Sequence, residues 1–148
     1  MGKVQASAEG PVHAPAPVVY GYLADMRQHH PKFLPPAFSG FEVESGGTGA
    51  GTIIRFTLTA GGRTRQVRSE VAEPDPGRVL TESDTNSSAV TTFTVIPGAD
   101  DCTVRIATEW NGASGIGGFF ERTFAPRALV KIYDEFLGRL AEQCQPED

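Results

Sequence analysis

Hydrophobic and polar positions divide the chain into three stretches with different periods. Val4, Ala6 and Ala8 alternate with Gln5, Ser7 and Glu9, the mark of a short opening strand. Pro15 or Pro17 then suits the first turn of a short helix, and Val18, Val19, Tyr22 and Leu23 share one helical face. Residues 28–36 contain Pro31, Pro35 and Pro36, which limit anything helical there to about one turn.

From Phe38 to Trp110 the period is two. Phe41 and Val43 alternate with Glu42 and Glu44, and Ile54, Phe56 and Leu58 lie opposite Arg55, Thr57 and Thr59. Arg63, Arg65, Val67, Ser69 and Val71 share a face of the next strand. Three more strands are predicted at about 78–84, 90–96 and 102–110. Gly61-Gly62, Pro74-Asp75-Pro76-Gly77, Asn86-Ser87 and Pro97-Gly98-Ala99-Asp100 mark the turns. Consecutive hairpins with one apolar face predict an antiparallel meander covered on one side. Near the end, Leu129, Ile132, Tyr133, Phe136, Leu137 and Leu140 follow the spacing of an amphipathic helix over about 126–143. That helix is the sheet's main cover.

Composition narrows the function classes. The 148 residues carry a formal net charge of −5, unlike the basic face of a nucleic-acid binder. With 39% hydrophobic and 21% charged residues, one globular domain spanning 1–148 is expected. No run is long enough for integral membrane insertion and no secretory leader is visible. Position 6 is Ala6, where a myristoylation motif needs Ser or Thr. Cys102 and Cys144 are too few for a four-cysteine metal site. A cytoplasmic location with both thiols reduced is the expectation.

Several motifs favour bland readings. The glycine run at 47–51 joins two strands, so it is a hairpin loop, not a phosphate-binding turn before a helix. Gly112-Ala113-Ser114-Gly115 has Ile116 where a nucleophile elbow needs its last glycine. His29 and His30 are adjacent, so their side chains diverge. They read as surface histidines at a helix corner, with Asp25 four residues before His29 able to orient it. His13 reads as structural, and no metal site is expected. Glu82 shares a strand face with Asp84, as Arg65 does with Arg63. Inward-facing charges would need Arg–carboxylate pairing. Arg65 and Glu82 are the candidates for catalysis, with an outward, solvated face as the competing reading.

The order of elements carries a resemblance. Its residues are Val12-His13-Ala14-Pro15 with Val18-Val19-Tyr20, then Phe33-Leu34-Pro35, Gly49-Ala50-Gly51-Thr52, Val71 through Arg78, and Phe124-Ala125-Pro126-Arg127 leading to Leu140. Together they resemble the START/birch-pollen-allergen-like (SRPBCC) superfamily, and within it the bacterial polyketide cyclase/dehydrase and lipid-transport family. The resemblance implies an α+β helix-grip fold. A curved seven-stranded antiparallel sheet, with two short helices after the first strand, would wrap around a long C-terminal helix. It also implies a cavity between helix and sheet, with no fixed catalytic set and no cofactor.

The expected function is therefore binding or carriage of an apolar small molecule of lipid, polyketide or isoprenoid type. A polyketide aromatase/cyclase and a protein-interaction module with a filled cavity are the alternatives. The expected lining is Phe33, Phe56, Leu58, Val67, Phe93, Trp110, Phe120, Leu129 and Tyr133, with entrances near 33–38 and 112–118.

Overall fold

The computed structural model describes residues 3–111 and 126–144. Strand β1 (Lys3–Val12) is followed by helix α1 (Ala16–Ala24) and one 3-10 turn (His30–Phe33). Six strands come next: β2 (Phe38–Ser45), β3 (Ile53–Ala60), β4 (Arg63–Asp75), β5 (Val79–Asp84), β6 (Val90–Pro97) and β7 (Cys102–Asn111). Helix α2 (Pro126–Gln143) follows. The strands form one antiparallel sheet of order β1-β7-β6-β5-β4-β3-β2, the seven-stranded helix-grip arrangement.

Local chemistry explains the boundaries. Pro15 caps α1 in extended geometry and Pro17 occupies its first turn. Register shifts interrupt β2–β3 between Ser39 and Glu42, and β4–β5 between Ala72 and Asp75. Gly40, with φ of 61°, lies in the first of these. Such bulges bend a strand and increase its twist, which curves the sheet.

Alternation places Arg65, Val67, Ser69 and Val71 of β4 on the concave side, all buried. On the outer face Arg55 bonds Glu42 and Arg68 bonds Glu44, both at 2.6 Å. These charges lie beside the β2 edge, where charge discourages pairing with another sheet.

Helix α2 buries Leu129, Tyr133, Phe136, Leu137 and Leu140, while Ile132 is half-buried. It packs chiefly against β1: a Cβ on Gly10 would lie 3.9 Å from Leu137. The helix thus covers one side of the sheet and leaves the concave face of β3–β6 less filled. Trp110, Val104 and Ile106 fill the β7 side of the core. Cys102 and Cys144 are buried and unbridged.

Hydrogen bonds tie the glycine loop before β3 to α1 and β4, with Glu73 at their centre. Glu73 accepts from the Tyr20 hydroxyl at 2.6 Å and from the Ala50 N–H at 2.8 Å, and the Gly49 N–H donates to the Ala24 carbonyl at 3.1 Å. Burial and the neighbouring Glu73 carboxylate hold the Tyr20 hydroxyl well above its usual pKa. Gly49 has φ of 66°, and a Cβ there would collide with the Glu73 carboxylate. Gly49→Ala should cost about 1–3 kcal/mol in urea denaturation. An unchanged midpoint would show that the loop tolerates a side chain.

Candidate functional site

The concave face of β3–β6 and α2 enclose a cavity with about 60 Å³ open to the centres of water molecules. Phe56, Leu58, Val67, Phe93 and Tyr133 line it, as does Glu82. Phe33, Trp110 and Leu129 do not. They are at most 1% exposed and packed into the core. Phe120 and the entrance expected at 112–118 lie outside the described residues. Around 33–38, Leu34 and Phe38 reach the cavity.

Arg65 faces inward but does not line the space. Its Nη1 donates to Asp84 Oδ2, and both side chains are less than a tenth exposed. Asp84 Oδ1 also accepts from the Asn86 N–H at 2.8 Å. The inward arginine therefore meets Asp84 instead of Glu82. The two carboxylates, two residues apart on one strand face, have different surroundings.

Glu82 sits on β5 beside Val71 of β4 and Thr91 of β6. Its Oε2 has no hydrogen-bond partner among the described residues. Burial alone raises its pKa to about 7, because the ionised carboxylate loses hydration without gaining a donor. His30 stands beside it, with Nε2 3.7 Å from Oε2.

His30 corrects the surface reading of the histidine pair. It opens the 3-10 turn and is 2% exposed. Its ring lies among Phe93, Phe136 and Phe41, with centroids at 5.8, 5.5 and 6.0 Å. Nδ1 is 2.8 Å from the Leu23 carbonyl. A carbonyl only accepts, so Nδ1 carries the proton and Nε2 presents a lone pair towards Glu82. Desolvation lowers the His30 pKa to about 4, so the ring is neutral near pH 7. The one sequence signal for this burial is the three-residue step to Phe33, since i and i+3 eclipse on a 3-10 turn.

His29 is half-buried, stacked on Tyr22 at 4.4 Å and bonded to Asp25 at 3.0 Å. Hydrogen bonds from the Gln28 N–H and His29, together with the Arg27 N–H, hold the Asp25 carboxyl below its usual pKa.

A hydroxyl relay forms the other polar part of the wall. Thr91 and Thr108 hydroxyls are 2.7 Å apart, and Thr108 also bonds the Tyr133 hydroxyl. Burial pushes the Tyr133 pKa up to about 12, so it stays protonated. The site thus offers a neutral phenol, a lone-pair imidazole and a titrating carboxyl inside an aromatic wall. Among the described residues, no group of three or more His, Cys, Asp or Glu side chains could hold a metal ion. No described helix is long and apolar enough to cross a membrane.

Residues 1–145 match the family model described as polyketide cyclase/dehydrase and lipid transport. Pathogenesis-related protein 2 of Petroselinum crispum is 33% identical over 118 residues, 73% of this chain and 75% of that protein. The solution structure of KanY protein (ms6282) is 36% identical with a TM-score of 0.86, covering 99% of this chain and all of that one. Major latex-like protein 151 of Panax ginseng, 14% identical with a TM-score of 0.74, covers 97% of this chain and 99% of its own. That last likeness shows a shared fold.

Proposed function

The chain belongs to the polyketide cyclase/dehydrase and lipid transport family, and from that premise we propose that it binds a small, largely apolar molecule between the sheet and α2. The observation that carries this reading is the space itself. Phe56, Leu58, Phe93 and Phe136 converge on it without filling it. At about 60 Å³ the space is smaller than the roughly 150 Å³ that takes one benzene ring, so the wall must yield to admit a ligand, and a compact ring asks less of it than an acyl chain within the lipid, polyketide or isoprenoid range. Binding would draw on buried apolar area, at roughly 25 cal/mol per Å² before association costs. The same reading places the protein in the cytoplasm, with Cys102 and Cys144 reduced.

Ethylbenzene, titrated into the protein and followed by amide NMR shifts, should move the β3–β6 signals to saturation. Leu58→Trp, which fills the space, should abolish those shifts while circular dichroism remains native. If the wild type shows no saturable shift, the cavity reading fails and an interaction module takes its place. Catalysis on a cyclic substrate is the second reading. Glu82 and His30 favour it, because a carboxyl with pKa about 7 can give and take a proton near neutrality.

A further inference from the structure

The cavity's polar end has an imbalance. Above neutral pH the Glu82 carboxylate only accepts hydrogen bonds. The His30 tautomer, fixed by the Leu23 carbonyl, makes Nε2 an acceptor as well. The two lone-pair groups face each other at 3.7 Å with no donor for Oε2 among the described residues. The inward cation Arg65 is engaged by Asp84. The Tyr133 phenol bonds Thr108, whose hydroxyl also bonds Thr91. Around the pair stand the rings of Phe41, Phe93 and Phe136. Two acceptors, one of them anionic, within an aromatic wall are complementary to a group that has several donors, no acceptor and a positive charge.

We propose that Glu82 Oε2 and His30 Nε2 form the recognition point for a small primary amine, whose ammonium donates to both atoms while its ring occupies the apolar end. This rests on the reading of the cavity as a ligand site and specifies the ligand's chemical class. An ammonium has three donors, so it serves both acceptors and turns a third N–H towards a phenyl face. An alcohol of the same size donates once and leaves the charge uncompensated. No bond is made or broken in this recognition.

Acid weakens the site, since Glu82 takes up its own proton and then donates to His30. Among the described residues, four titratable or charged groups face Glu82 or lie near it: His30 from the 3-10 turn, Tyr133 from α2, Asp84 on its own strand and Arg65 from β4. Tyr133 stays neutral, and Arg65 and Asp84 compensate each other, so near-neutral titration belongs to Glu82.

The test compares benzylamine, benzyl alcohol and ethylbenzene, which have nearly the same size, by NMR and calorimetry at about pH 8. Benzylamine should bind at least tenfold more tightly than benzyl alcohol, about 1.4 kcal/mol. Glu82→Gln should erase that preference, with ethylbenzene titrated beside the two polar ligands to report whether the cavity itself still binds. In the wild type at about pH 6.5, calorimetry in two buffers should show that amine binding releases a fraction of a proton, whatever the variant's folding. Equal binding of amine and alcohol overturns the proposal, as does a preference that survives Glu82→Gln or the absence of proton release. If ethylbenzene binds and benzylamine does not, the amine site falls and the cavity reading stands. If neither binds, both fall.

Discussion

Arg65→Met should lower unfolding stability by about 3–5 kcal/mol at neutral pH, read as a reduced urea midpoint. The arginine and Asp84 are each less than a tenth exposed and directly hydrogen-bonded. Removing the guanidinium leaves the Asp84 carboxylate on the concave face with the Asn86 N–H still donating to Oδ1. A buried carboxylate that loses its cation costs several kcal/mol because its hydration is not restored. The double variant Arg65→Met/Asp84→Leu should recover most of the loss, since it removes the stranded charge as well. A single variant within about 1 kcal/mol of the wild type would show that water reaches Asp84 and screens it.

Glu82→Gln should do the opposite and stabilise the protein by roughly 3 kcal/mol above pH 7. The carboxyl is raised from 4.5 to about 7 in the folded state. Its protonated form is therefore favoured by folding. The stability it contributes is fully present below about pH 4.5 and lost as pH rises through about 7. A gap of about 2.5 pKa units at 1.36 kcal/mol each sets the magnitude.

His30 works in the other direction. Its pKa falls from 6.5 to about 4, so its contribution is present above about pH 6.5 and lost as pH falls through about 4. Between these limits the two slopes oppose each other in the wild type. In Glu82→Gln the histidine slope stands alone, and stability should climb with pH from about 4 to 6.5. Urea denaturation across a pH series checks both statements. A variant no more stable than the wild type at about pH 8 would mean that Glu82 is solvated or partnered.

The element order and the inward faces were legible along the chain. Ile54 and Leu58, Arg65 through Val71, and Val104 through Trp110 fall on the concave side as alternation predicts, whereas β5 carries Val79 on one face and Leu80 on the other, so only the structure shows that Leu80 and Asp84 are buried there. Side chains on a strand alternate with a period of two, and the apolar residues mark which face is buried. The α2 stripe was legible for the same kind of reason, with period 3.6.

Which neighbour an inward residue meets was not legible. Glu82 and Asp84 share a face, yet one stands near His30 and the other near Arg65. Register opposes Ser69 to Asp84 and Val71 to Glu82, and the bulge between Ala72 and Asp75 shifts the pairing. For His30 the three-residue step to Phe33 marks a shared side of the 3-10 turn and nothing about what that side meets. Its surroundings come from the Leu23 carbonyl seven residues earlier and from rings on β2, β6 and α2. Expecting Trp110 and Leu129 in the cavity wall failed for a related reason. Trp110 points inward by strand alternation and Leu129 by helical period, but α2 packs on β1, so both are buried in the core on that side and the space opens over β3–β6. Periodicity is a property of one chain segment and determines faces. Pair partners, the His30 tautomer and the place of the void depend on how distant segments pack, and only the tertiary structure decided them.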